Sequence, residues 1–459
     1  MPRRSSLTTG LTDPRLHRLT WAIALPAIVA NVSGPLVGVV DSWTMGHLGD
    51  PLYLAAIAAG GYAFHVLYWA FGFLRMGTTG LVAQAMGRGR PSEVARTIAA
   101  AVSLGMAVAL VVVLLAPVLF AGLAQLLDLD QAVRTTAAQY WDIRIWAAPA
   151  ILVRLAMVGA LIGLQAARSA MVVEVTLNLL NAGLTLLLVV HFGLGIAGAA
   201  WGSLIAELVA ALLAVAFLVW SLRRRLDLDI RSVLTASKTI LPADLRLIAQ
   251  VNGFIFLRTL LLLAAFGLFW RTSAALGTTV LAANQVAINL LMLTSFGLDG
   301  IAYAAEALVG EAVGRGQWPA VRDRILVTGL WSAVLAIGYT ALWVASAEAL
   351  FAFFTAEPAV LAHAHAVAGL VALLPLAGFL SYHMDGVFIG LAAARAMFAT
   401  MALAFAGYAL ILGLALASAG NRGLWLALAA FLLLRGFAQL FWLLARGRRI
   451  LRSPAGSGS

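Results

Sequence analysis

Cysteine is absent from the 459 residues, which excludes a disulfide framework, a thiol nucleophile and a zinc–thiolate site. Charge is scarce as well: 11% of the residues are Asp, Glu, Lys or Arg, where a soluble domain carries about 25%. Lysine is almost missing, Lys238 being the only one, so arginine carries nearly all of the positive charge. No Walker sequence is present, so ATP is not the energy source. An integral-membrane prenyl or acyl transferase would want a metal-binding acidic pair such as DDxxD, or a His-centred catalytic group. Neither is found. His363 and His365 form the one close histidine pair and fall at the end of an apolar run, where a solvated loop is expected.

What remains is apolar. Hydrophobic residues make up 63% of the chain, and the mean hydropathy is +0.98. Those values exclude a water-soluble enzyme, a disordered chain and a collagen-like repeat. A bilayer core needs roughly 20 apolar residues per helix, and this length accommodates twelve spans. Apolar runs bounded by Gly, Pro and charges place them at 19–44, 52–86, 93–119, 138–166, 170–191, 196–222, 247–275, 279–312, 321–354, 365–391, 397–419 and 423–445. All are expected to be helices, because in lipid the backbone must satisfy its own hydrogen bonds.

The net charge of +11 does not point to nucleic acid. The basic residues fall in short clusters between apolar runs, as in the cytoplasmic loops of membrane proteins. Arg3, Arg4, Arg15 and Arg18 precede the first span, and no cleavable signal peptide is seen there. With those four inside, the loops assigned to the outside hold only Arg134, Arg271 and Arg422. That bias sets both termini in the cytoplasm and requires an even number of spans.

The longest polar stretch, 223–249, divides the chain nearly in half. Gly87-Arg88-Gly89 recurs 227 residues later as Gly314-Arg315-Gly316. Gly163-Leu164 with Arg168 recurs at the same offset as Gly390-Leu391 with Arg395. The expected architecture is therefore an all-α integral membrane protein with twelve transmembrane helices in two six-helix repeats. Its parts are an N-terminal lobe (1–222), a cytoplasmic linker (223–249), and a C-terminal lobe with a basic tail (250–459). Six is even, so the halves share one orientation, as in parallel-repeat transporters.

Ionisable groups inside a bilayer cost roughly 2.5–3.5 kcal/mol each on insertion scales and are functional candidates by default. Asp41 lies toward the outer end of the first span with no Arg or Lys within ten residues. A carboxyl with no cation to hold it charged is the chemistry of a reversible proton carrier. Asn178, Asn181 and Thr185 share one face of the fifth span, and Ser203 lies near the start of the sixth. Their amide and hydroxyl groups suit orienting a carboxyl or helping to hold a small cation. In the second half Arg258, Asp299 and Asp385 fall at similar depth and are expected to pair. Glu207, Glu306, Arg75 and Arg154 are also deep, without an assigned partner. Pro26 and Pro35 interrupt the first span and mark a candidate hinge.

These pieces resemble one family. Leu25-Pro26 through Pro35 to Val40-Asp41, then Gly46-His47-Leu48, resembles the first helix of multidrug and toxic compound extrusion (MATE) transporters, in their DinF-like branch. The run Phe73 to Gly80, Gly163-Leu164-Gln165, Gly198-Ala199-Ala200, Leu257-Arg258-Thr259, Ala283-Asn284-Gln285, Asp299-Gly300 and Asp385-Gly386 agree in order. The resemblance implies two lobes in a V-shaped arrangement and export of small, drug-like amphipathic or cationic compounds by antiport. No cofactor is implied beyond a coupling ion, the proton, with sodium near Asp41 and Asn181 as the alternative. It further implies a monomer in a bacterial plasma membrane, with Asp41 as the proton site, Asn181 in the same cluster, and Ser203 where the family usually has threonine. One departure is visible. The family's Asn-x-x-x-Asp in the fifth helix is here Asn181 followed by Thr185, so the second carboxylate is missing. A lipid-linked precursor flippase of the wider superfamily is the alternative transporter reading.

Overall fold

The computed structural model describes residues 8–48 and 50–450. Arg3 and Arg4, which entered the charge argument, lie outside the described residues. The described segments contain helices and no strand. Among the described residues twelve helices are long and apolar enough to cross a membrane: α1 Pro14–Gly46, α2 Pro51–Gly87, α3 Pro91–Leu114, α4 Gln131–Gly163, α5 Ala167–His191, α6 Gly195–Leu226, α7 Pro242–Ala275, α8 Thr278–Gly314, α9 Trp318–Phe354, α10 Pro358–Gly390, α11 Ala394–Leu416 and α12 Ser418–Gly447. Shorter helices occur at Thr8–Leu11, Ala116–Leu126 and Ile230–Lys238. Large apolar side chains stay outside, as expected where the solvent is lipid: Leu114, Phe441 and Leu444 are 69%, 75% and 77% exposed.

Local signals set the helix ends. Proline lacks the N–H that a first turn leaves unpaired anyway, and it stands at the start of α2, α3, α9 and α10. Asp50 caps α2 by accepting the Leu52 amide at 2.8 Å, and Asp130 caps α4 by accepting the Val133 amide at 2.9 Å. Expected spans change for such reasons; the tenth, expected from 365, begins at Pro358, so His363 and His365 are helical and not in a loop. The third, expected through residue 119, ends at Leu114, and a new helix starts with Pro117 in its first turn. The fourth, expected from 138, begins at Gln131 because of the Asp130 cap.

The chain forms two compact units, 29–250 and 251–459 with 1–28. The division differs from the expected 1–222 and 250–459 at two places. Residues 8–28 pack with the second half: the Trp331 indole N–H donates to His17 Nδ1 at 2.9 Å. The stretch 223–249 packs with the first half, where Ala236 of the short helix Ile230–Lys238 sits against Ala95 and Ala99 of α3.

Two turns and one helix crossing of each unit recur in the other at the 227-residue offset. Gly89 and Gly316 both take positive φ, +65° and +70°, as do Gln165 and Ala392, +60° and +52°. Gly159 of α4 meets the Arg75 carbonyl oxygen of α2, and Gly386 of α10 meets the Ala302 carbonyl oxygen of α8. One turn on, a Cβ on Gly163 would lie 2.7 Å from the Thr79 carbonyl oxygen, and one on Gly390 would lie 2.9 Å from that of Glu306. The pairs α2·α4 and α8·α10 therefore cross backbone to backbone through the same small-residue faces.

Candidate functional site

The first-half unit builds its polar cluster at the crossing of α5 and α6. Gly198 and Gly202, one turn apart on α6, bring its backbone onto α5. A Cβ at Gly202 would lie 3.0 Å from the Thr185 nitrogen, and one at Gly198 would lie 3.0 Å from the Leu188 carbonyl carbon. That approach lets Asn181 Nδ2 donate to Ser203 Oγ at 3.0 Å. The Thr185 hydroxyl is 3.5 Å from Asn181 Oδ1, at the limit of a hydrogen bond. It is also within hydrogen-bonding reach of the Asp41 carboxylate. Asp41 is 9% exposed, Asn181 5%, Ser203 1% and Thr185 fully buried. Asp41 Oδ1 has no hydrogen-bond partner. Four of the candidates from the sequence, Asp41, Thr185, Asn181 and Ser203, thus form one chain of side chains.

Asn178 does not join that chain. It donates from Nδ2 to Ser33 Oγ on α1 at 2.7 Å, and the Ser33 hydroxyl donates to the Ala30 carbonyl at 2.7 Å. Its role is to tie α5 to the α1 segment between the two prolines. The helix α1 continues through Pro26 and Pro35, and the boundary between the compact units, after Ile28, falls between them.

One neighbour of Asp41 was invisible in the sequence. Arg144, from α4, acts electrostatically on the Asp41 carboxylate and on His65 and Tyr68 of α2. Its guanidinium lies over Phe64 at 5.1 Å and Tyr140 at 5.3 Å and donates to the Tyr140 hydroxyl. The Arg144 Nε and the Tyr68 hydroxyl are both buried without a hydrogen-bond partner. Arg154, deeper in α4, donates from Nε to Glu207 of α6 at 2.8 Å and from Nη1 to Glu174 of α5 at 2.5 Å.

The second-half unit gathers its charges on Asp385 of α10. Arg258 of α7 donates from Nη2 to Asp385 Oδ2. Arg435 of α12 donates to the same oxygen at 2.6 Å, and Gln439 Nε2 donates to Oδ1 at 2.9 Å. Asp299 of α8 acts electrostatically on Arg258 and on Tyr382. Glu306, 2% exposed, belongs to the α8·α10 crossing, where its carbonyl oxygen faces Gly390. Arg435 and Gln439 were missed as partners because neither has a sequence neighbour that betrays the contact.

Among the described residues no group of three or more His, Cys, Asp or Glu side chains could hold a metal ion. The donors beside Asp41 are instead one carboxylate, one amide oxygen and hydroxyls. That set can bind a proton at the carboxyl or a hard monovalent cation among oxygens.

Comparison with known proteins agrees with the duplicated plan. The family model MatE matches twice, over residues 26–187 and 255–415. The chain is 36% identical over 426 residues to DNA damage-inducible protein F of Escherichia coli (strain K12), covering 91% of this chain and 90% of that protein. It is 27% identical over 445 residues to a probable multidrug resistance protein NorM of Neisseria meningitidis serogroup A, covering 95% of each. A crystal structure of a MATE protein in the straight conformation superposes with a TM-score of 0.85 at 16% identity, covering 98% of this chain and 99% of that one.

Proposed function

The chain belongs to the MATE family of multidrug and toxic compound efflux transporters, a multi-pass membrane protein and not an enzyme, and on that premise we propose that it exports small amphipathic or cationic organic compounds in exchange for protons. Asp41 is the exchanging carboxyl. The observation that carries this reading is a buried carboxylate with one unpartnered oxygen, at the end of the chain Thr185–Asn181–Ser203. The protein works as a monomer in a bacterial inner membrane, with both termini and residues 223–249 on the cytoplasmic side. The arginine bias supports that orientation.

Protonation and substrate binding are coupled because each favours a different state of α1. Deprotonated, Asp41 is an anion beside Arg144 and the Thr185 hydroxyl. Protonated, it loses its charge attraction to Arg144 and gains an O–H donor. Pro26 and Pro35 each remove one helical hydrogen bond, so bending between them is the response of least cost. A cationic substrate competes for the same carboxylate. Each charge that moves down the membrane potential adds about 2.3 kcal/mol per 100 mV to the driving force.

Sodium is the second reading, supported by the all-oxygen donor set around Asp41 and Asn181. The Asp385 cluster takes a structural role, because two guanidiniums and an amide already occupy its carboxylate.

The test is efflux of a fluorescent cationic dye from proteoliposomes under an imposed pH gradient, with and without sodium. Asp41→Asn keeps the shape and cannot release a proton. It should fold, retain dye binding and lose gradient-driven transport. Thr185→Asp places a second carboxylate in the cluster and should alter the pH profile or the sodium response. Full gradient-driven efflux by Asp41→Asn would remove Asp41 from the coupling step. Dependence on sodium at fixed pH would replace the proton by sodium.

A further inference from the structure

The stretch 223–249 has no task in the exchange mechanism, yet it is built into the first-half unit. Its helix Ile230–Lys238 rests on α3 through Ala236, with Leu228, Val233 and Ile240 packed around the contact. Beside that contact runs a groove of about 450 Å³, walled by Ser92 and Arg96 of α3 and by Arg231, Ser232, Thr235 and Thr239 of the linker. Every polar group named there can donate a hydrogen bond, two are permanently cationic, and none is a carboxylate.

The two arginines are not spent on ion pairs of ideal form. Arg231 has no carboxylate partner among the described residues. Arg96 Nε stands 3.3 Å from Asp244 Oδ2 but makes no hydrogen bond and is buried. Arg223, by contrast, is held by Asp229 at 2.7 Å. Apolar side chains accompany the groove: Leu234, Leu241 and Leu245 are 61%, 54% and 42% exposed. Leu234 on the short helix, Leu241 in the loop that follows and Leu245 in the first turn of α7, set beside Arg231 and Lys238, form an interfacial surface. Basic pockets between such helices take anionic headgroups.

We propose that this groove binds a phosphate oxyanion, the phosphodiester of an anionic phospholipid headgroup. Arg96 and Arg231 face the oxyanion, the Ser92, Ser232 and Thr235 hydroxyls donate to it, and the three leucines lie against the acyl chains. The lipid thereby pins the connection between the halves to the membrane surface. The assignment of the headgroup to the cytoplasmic leaflet rests on the topology proposed above.

The full-length protein is placed in nanodiscs of phosphatidylcholine alone or with phosphatidylglycerol, and in detergent with millimolar inorganic phosphate. Thermal stability and phosphatidylglycerol retained per protein are measured. Phosphatidylglycerol should raise the melting temperature, and one molecule should survive delipidation. The double variant Arg96→Gln/Arg231→Gln should retain it about thirty-fold more weakly, the equivalent of about 1 kcal/mol for each arginine. Ser232→Glu leaves both arginines in place and puts a carboxylate in the groove, so it should abolish retention. Arg231→Lys should keep most of it. An equal stabilisation by inorganic phosphate alone would overturn the lipid as occupant and leave the oxyanion site. Equal retention by the native protein and Ser232→Glu would overturn the site itself. Ser237→Cys, probed with an impermeant thiol reagent in intact cells, reads the topology separately. Labelling from outside would move the linker to the other leaflet without changing the retention result.

Discussion

Asp385→Ala should be the most damaging single charge deletion in the second-half unit. The carboxylate accepts from Arg258, from Arg435 at 2.6 Å and from Gln439 at 2.9 Å. Arg258 and Arg435 are 5% and 3% exposed, so the deletion strands two guanidiniums in a space that excludes water. Removing one partner of a buried pair costs about 3–5 kcal/mol, and here two cations lose one anion, which points to the upper end. Asp299 still acts on Arg258 and offsets part of the loss there. Arg258→Ala is milder. It leaves Asp385 with Arg435 and Gln439, so the cost is nearer that of one charged hydrogen bond, about 1.5–3 kcal/mol. In the Asp385→Ala background, removing Arg258 relieves an unpaired cation. The double variant should therefore be more stable than the sum of the singles by about 2 kcal/mol. Tryptophan fluorescence during thermal or denaturant unfolding of the solubilised protein reads these differences, and the chain supplies 13 tryptophans for it. Additivity within about 0.5 kcal/mol, or an Asp385→Ala variant no weaker than Arg258→Ala, would refute the reasoning.

Two further outcomes follow from the helix crossings and from the split between the asparagines. Gly163→Ala and Gly390→Ala each drive a methyl onto a backbone carbonyl at 2.7 and 2.9 Å, so both should lower stability by about 1–3 kcal/mol. Gly183→Ala, which meets nothing within 4 Å, should be neutral or gain up to about 1 kcal/mol; equal behaviour of all three in thermal unfolding would remove the crossing from the account. Asn181→Ala should lose about 0.6–1.7 kcal/mol together with gradient-driven transport, whereas Asn178→Ala, whose amide serves Ser33, should keep the coupling between proton and dye in the liposome assay.

Much of the fold was legible because lipid imposes one rule on every span. Hydropathy located the helices, and the arginine-bearing turns located the repeat, since Gly89 and Gly316 both need a positive φ that favours glycine. Ends were harder. The two turns of α4 before residue 138 are polar, and the Asp130 cap that starts them is a local signal weaker than the hydropathy beside it. In the candidate site, spacing along a single helix was readable: Asn181 and Thr185 are one turn apart and meet each other at 3.5 Å. Contacts between distant helices were not. Nothing near Asp41 in the chain announces Arg144, and depth along α7 and α10 levels Arg258 with Asp385 but says nothing of Arg435 or Gln439 on α12.

The two halves share their glycine crossings yet hold their buried charges the other way round. In the first, α4 carries the cation, Arg154, and α5 and α6 carry the anions. In the second, α10 stands where α4 stands and carries the anion, while α7 and α12 carry the cations. Glu207 falls one residue from the position equivalent to Arg435. Shape already separates α12 from α6 as a neighbour for α10: a Cβ at Gly436 of α12 would lie 2.9 Å from the Ser381 nitrogen, and 227 residues earlier α6 has Val209. Charge adds to that. Docked on α6, Asp385 would meet Glu207, and docked on α12, Arg154 would meet Arg435, each an uncompensated group in hydrocarbon at roughly 2.5–3.5 kcal/mol. Each of these helices is therefore charge-matched to neighbours of its own half and charge-mismatched to their counterparts in the other.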